Sequence, residues 1–130
     1  MASILKVDEM QGVTSAGDIT ITSEGGAATM SLQQGLAKAW CSVDHDTTIS
    51  FFDSFNFASV TDNSTGNYGV SFTNSMSTSR YSSPPQCYSG DGDIANVANE
   101  AASSFQIRTF DDTGASKDVD CFSTTHGDLA

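Results

Sequence analysis

Basic residues are scarce in this chain. Five Lys and Arg stand against sixteen Asp and Glu, leaving a formal net charge of −11 over 130 residues. That balance argues against a nucleic-acid partner, because phosphate contacts are what lysine and arginine supply. It argues equally against docking on anionic lipid. Long apolar runs are missing too, so no segment has the length a membrane helix needs, and no membrane insertion is expected. The opening "MASILKVDEM" reaches the acidic pair Asp8-Glu9 without the basic-then-apolar layout of a signal peptide. Cysteine is limited to Cys41, Cys87 and Cys121, an odd number with wide gaps and no zinc-like spacing. These thiols are expected to be reduced and to act as small buried hydrophobes, which fits synthesis in a reducing cytoplasm. Leucine is scarce and long runs of helix formers are missing, so long helices are not expected.

What the chain does have is serine and threonine, 20 and 14 of them, in stretches that alternate with period two between Gly, Asn, Asp and Ser punctuation. Ile4 to Met10 reads as a short strand or extended arm. Ile19 and Ile21 alternate with Asp18, Thr20 and Thr22, a turn follows at Gly25-Gly26, and Ala28 to Leu32 comes next. "GLAKAWCSV" places Ala37, Ala39, Cys41 and Val43 on one face and Leu36, Lys38 and Trp40 on the other, so both faces are expected to touch something. "TISFFDSFNFASV" carries a bend or bulge near Asp53-Ser54. "TDNSTGN" is a turn, and Tyr68, Val70 and Phe72 leave it on a single face, making a hairpin. "SSPPQCYSGDGD" is expected to be irregular, since proline cannot donate to a ladder. "IANVANEAASS" reads equally as one helical turn or a loop. "SSFQIRTF" and "KDVDCFSTTHG" are the last strands. The sum is an all-β fold, an antiparallel β-sandwich or jelly-roll-like module over 34–130, preceded by an attachment arm and short strands over 1–33.

Catalytic signatures are hard to find. Asp44, His45 and Asp46 are the candidate metal or acid–base group, but neighbours on a strand point to opposite faces, and a polar turn is the simpler reading. His126 lies near a chain end expected to fray. Asp91 and Asp93 open a calcium-loop look-alike that fails at its fifth, sixth and twelfth positions, held by Ala95, Asn96 and Ala102. No nucleophile elbow, zinc-protease or phosphate-loop pattern occurs, so no enzyme activity and no cofactor are expected. Trp40, Phe51, Phe55, Phe57, Tyr68 and Phe72 sit at strand spacing and are expected in a core rather than on a sugar platform.

One stretch is familiar as a whole. Gly35 to Met76, "GLAKAWCSV" and then "ISFFDSFNFASVTDNSTGNYGVSFTNSM", resembles the "AKAW…DSFNVSSITDNGTGDYTVNFT" module of tail-fibre-like and other small virion proteins of tailed bacteriophages, marine ones especially. The closing "SSFQIRTFDDTGASKDVDCFSTTHGD" resembles that module's last two strands. The opening "SILKVDEMQ" with "DITITSE" resembles the start of many phage fibre-like proteins. The resemblance implies a virion structural protein made in the host cytoplasm, a homotrimer bound to other tail or capsid proteins. Ile4, Leu5, Val7 and Met10 would attach it to the particle. The loops Asp62 to Asn67 and Ser82 to Asp93 would meet the host, with Asn63, Asn67, Tyr81 and Tyr88 as contacts for a host surface glycan. Two departures stand out: the long shaft of a fibre is missing between arm and module, and Cys41 replaces an aliphatic residue. The missing shaft brings in a capsid decoration protein as the alternative, with a glycan-binding module as a third reading.

Overall fold

The computed structural model describes residues 6–13, 19–23, 25–46, 48–88 and 92–130, in two units, Met1–Leu36 and Ala37–Ala130. In the first, β1 (Thr20–Thr22) pairs antiparallel with β2 (Thr29–Ser31), Ile21 opposite Met30. Gly26, at φ 68°, lets the intervening turn close, and its amide donates to the Ser23 carbonyl. A single helical turn, α1 (Leu32–Gly35), follows and buries nothing. Ile4 and Leu5 lie outside the described residues. Residues 6–10 form no strand, and Val7 and Met10 are more than half exposed.

The second unit is an all-β antiparallel sandwich. One sheet has the order β4-β3-β10-β7 and the other β5-β6-β9-β8. The strands are β3 (Ala39–Asp44), β4 (Ser50–Phe55), β5 (Phe57–Ser64), β6 (Asn67–Phe72), β7 (Pro85–Cys87), β8 (Ile94–Ala101), β9 (Ser104–Phe110) and β10 (Cys121–Thr125). The first sheet sends mostly small residues inward, Ala39, Cys41, Val43 and Cys121, with the Phe51 ring of β4 meeting Phe57 at 5.9 Å. The second sends large ones: Phe57, Tyr68, Val70, Phe72, Phe105 and Ile107. Phe57 stacks on Phe72 with centroids 4.9 Å apart, and Phe105 meets both rings. Mostly rings from one side and mostly small residues from the other fill the gap between the two sheets.

The hairpin β5–β6 forms as its sequence indicates, with Tyr68, Val70 and Phe72 all buried. Gly66, at φ 64°, makes its turn. Asn56 carries the chain from β4 in one sheet to β5 in the other. It holds φ 59°, a left-handed conformation that Asn tolerates. Its amide nitrogen donates to the carbonyls of Lys38 and Asn74, and its oxygen accepts from the backbone and side-chain amides of Asn74. All of its side-chain hydrogen-bonding capacity at this corner is used.

Several expectations are corrected. "IANVANEA" is neither a helical turn nor a loop but β8, an edge strand on β9, with Asn99 at φ 52° in the irregularity between Ala98 and Ala101. The ladder with β9, and Ala95 and Val97 packing on the core, override the helix-forming bias of Ala and Glu. Pro85 opens a short edge strand, where a missing N–H costs nothing. The segment around His126 is tied down: His126 and Ser82 exchange both backbone hydrogen bonds, and Ser77 and Ala130 bond to Asp128 and Ser75. Trp40 and Phe55 are not core; both face outward.

Candidate functional site

Chemistry-bearing side chains converge at one end of the sandwich, where β3 runs out beside the segment leading into β10. Neighbouring positions on the two strands set the geometry. His45 follows β3 directly, and its backbone N–H donates to Asp120 Oδ1 at 3.0 Å. Its imidazole Nδ1 lies 3.9 Å from Asp120 Oδ1 and its Nε2 4.0 Å from Asp118 Oδ2. Both contacts are too long to be hydrogen bonds. Asp46 completes a trio with His45 and Asp120 whose ligand atoms lie within 4.8 Å of one another. Asp44 turns back locally and accepts the Asp46 amide, so of the sequence trio only His45 and Asp46 converge. One imidazole and two carboxylates form a donor set that a divalent cation accepts, and all three are half-buried or exposed.

The carboxylates leading into β10 also serve the fold. Asp118 Oδ1 accepts the Gly66 amide at 2.6 Å and faces the Tyr68 hydroxyl at 3.4 Å, while that hydroxyl accepts the Val119 amide at 2.8 Å. Burial pushes the Tyr68 phenol up to about 12, opposed by the Thr109 hydroxyl and the Val119 amide. Asp118 and Asp120 were absent from the sequence-derived candidates. The signal is in "KDVDC", where two carboxylates two apart lie in the segment that leads into β10.

The other candidates scatter. Asp91 lies outside the described residues. The Asp93 side chain is buried and held by Lys117 Nζ, 3.0 Å from each carboxylate oxygen, so its charge is already matched. Asn63 and Asn67 do lie near the β5–β6 turn. Asn63 is exposed, its amide close over Gly69. Asn67 is half-buried, and its Oδ1 has no hydrogen-bond partner among the described residues. Tyr81 and Tyr88 part company. The Tyr81 ring packs edge-on against Phe72 at 5.5 Å and beside Phe105 at 6.0 Å, and its hydroxyl lies 3.0 Å from the carbonyls of Ala101 and Ser104. That ring is half-buried at the edge of the core. Tyr88 projects into solvent.

Burial holds the thiols in their protonated form. All three are free and buried, and burial pushes Cys41 up to about 12 and raises Cys87 and Cys121 as well. Thiolate, the reactive form, is therefore negligible at neutral pH.

Comparisons with known proteins add no further constraint: no family model, no curated protein and no solved structure matches this chain.

Proposed function

We propose that this chain is a structural protein of a phage virion, a tail-fibre-like β module that projects from the particle and takes part in host adsorption. One observation carries the reading. The two stretches that resemble phage fibre modules, 35–76 and 103–128, supply β3, β4, β5, β6, β9 and β10, the larger part of both sheets. The resemblance thus falls on one folded unit rather than on scattered fragments. The residues 6–13, exposed and without a strand, suit an arm that binds other virion proteins by strand addition, which takes main-chain hydrogen bonds and little side-chain information. In this role no cofactor is required and the polar groups serve shape. The Asp118 carboxylate, for instance, spends itself on a turn and a buried phenol.

The second reading, decoration of the capsid, is favoured by the short connection between arm and module, which gives little reach. A labelled antibody against the recombinant chain, applied to purified particles from infected cells, separates the two. Signal at the tail supports the fibre reading, and signal spread over the head supports decoration. Particles that carry no signal overturn both.

A further inference from the structure

We infer that the outer face of the β4-β3-β10-β7 sheet is the surface on which a second copy of this chain docks. The inference deepens the structural reading by naming where copies meet. Residues alternate along β3 and β10, so Ala39, Cys41, Val43 and Cys121 go to the core and Trp40, Ser42, Phe122 and Thr124 face out. Trp40 stands directly opposite Phe55 on β4 and opposite Thr124 on β10, two positions from Phe122. The register shift between Ser42 and Val43 leaves Phe52 as the extra residue of β4, beside the same stripe.

The four rings stay uncovered: Trp40 at 38%, Phe52 at 63%, Phe55 at 54% and Phe122 at 39%. Taking roughly 200 Å² for a whole aromatic side chain, they expose about 400 Å² of apolar surface. Single exposed rings are ordinary, but four on one sheet face are not. A standard interface takes about 800 Å² from each partner, slightly more than half of it apolar. The stripe supplies that apolar centre, and Ser42, Asp53, Gln86 and Thr124 around it supply a polar rim. Tryptophan at the centre of a desolvated patch is the commonest energetic anchor of such contacts.

The occupant follows from the same residues. None of those between the rings is a cation, so the face offers nothing to a phosphate or an acidic ligand. Small molecules take concave sites, and the clefts lined by Asn63, Gly69 and Gln106 or by Arg80, Tyr81 and Glu100 belong to other strands and loops. For copies that each carry a net charge of −11, burying an apolar face is the contact that outweighs mutual repulsion.

Trp40 is the only tryptophan, so its emission reports this face directly. The full-length chain is followed by light scattering and by emission over a concentration series. The expected result is a mass that rises above one chain while the emission moves to shorter wavelength in step. Replacing both flanking rings (F55T and F122T) should weaken association roughly 30-fold or more and return the emission to that of exposed tryptophan. Thr keeps strand propensity, and circular dichroism checks the fold. If that pair fails to fold, F52T on the bulge gives a second reading of the same face. Three results overturn the inference. Association unchanged by the substitutions, with Trp40 emission unmoved, means that copies meet elsewhere, and leaves the virion reading standing. A single-chain mass with buried emission means that residues 1–36 cover the face. A single-chain mass with exposed emission means that no copy docks there.

Discussion

Asn56 holds the corner where one strand leaves the first sheet and enters the second, and its side chain does more than tolerate the left-handed backbone. Replacing it by Ala removes the bonds that its side chain makes to the Lys38 and Asn74 carbonyls and the Asn74 amide, and puts at φ 59° a residue that tolerates the left-handed region less well than Asn. The expected loss is about 2–4 kcal/mol. Gly in the same place relieves the backbone but not the lost bonds, so Asn56→Gly should recover only part of it. Urea denaturation of the three proteins decides the split. Tyr68 gives a pH prediction at the same scale. Folding raises its phenol from 10.0 to about 12, chiefly by burial, and does the same for Tyr81. The neutral form is thus the one the fold favours. Its contribution is complete below pH 10 and lost as pH rises from there through 12. The three buried thiols, raised from 9.0, act in the same direction from a lower pH. Denaturant midpoints should therefore begin to fall near pH 9 and fall more steeply beyond 10. Tyr68→Phe should lessen that fall but not abolish it, because Tyr81 and the thiols still titrate, at a cost of about 1–3 kcal/mol at neutral pH for the orphaned Val119 amide.

Among the elements, the β5–β6 turn is the most tightly enclosed. A Cβ on Gly66 would run into the Thr109 carbonyl and approach the Lys117 amide to 2.9 Å, both of them backbone, at a φ of +64°. Gly114 has a similar φ, +85°, with open space around it. Gly66→Ala should then cost about 3–4 kcal/mol, and Gly114→Ala about 1–2 kcal/mol, the backbone term alone. Thermal unfolding of the pair measures the difference. This hairpin was legible in sequence because aromatic and β-branched residues recur at every second position and the turn spells its own backbone. β8 was not, because "ANVANEA" has the composition of a helix and becomes a strand only against β9. The outward rings were misread for a related reason. Alternation tells which residues share a face, not which face is the core. Here the opposite sheet fills the interior with Phe57, Tyr68, Phe72 and Phe105, leaving room on β3 for Ala39, Cys41 and Val43 and none for Trp40. Of the acidic end, His45 and Asp46 could be seen in sequence. Asp118 and Asp120 join them only through the pairing of β10 with β3, which spans most of the module.

For the molecule as a whole, the three thiols act as a gauge of global integrity. They come from β3, β7 and β10, strands of one sheet, and all are buried. A thiol-specific reagent at neutral pH should label none of them in the native protein and all three in denaturant. Labelling in between should appear together, since opening β10 uncovers its neighbours on both sides. Cys87 labelling ahead of the other two would mean that the edge strand β7 opens by itself.

The place of β10 has a further consequence, in time rather than in space. It is a central strand of its sheet, held between β3 and β7, yet it comes last in sequence among the strands of the sandwich. Until residue 125 has been synthesised, β3 waits beside an open slot with the backbone groups of that edge unpaired. The hairpins of the other sheet can form as they emerge from the ribosome, but this sheet closes only after most of the module has been made. Non-local closure of that kind is slow and leaves unpaired strand edges exposed meanwhile. Yield in a recombinant host should therefore depend on expression temperature and chaperone supply more than the equilibrium stability of the finished protein would suggest.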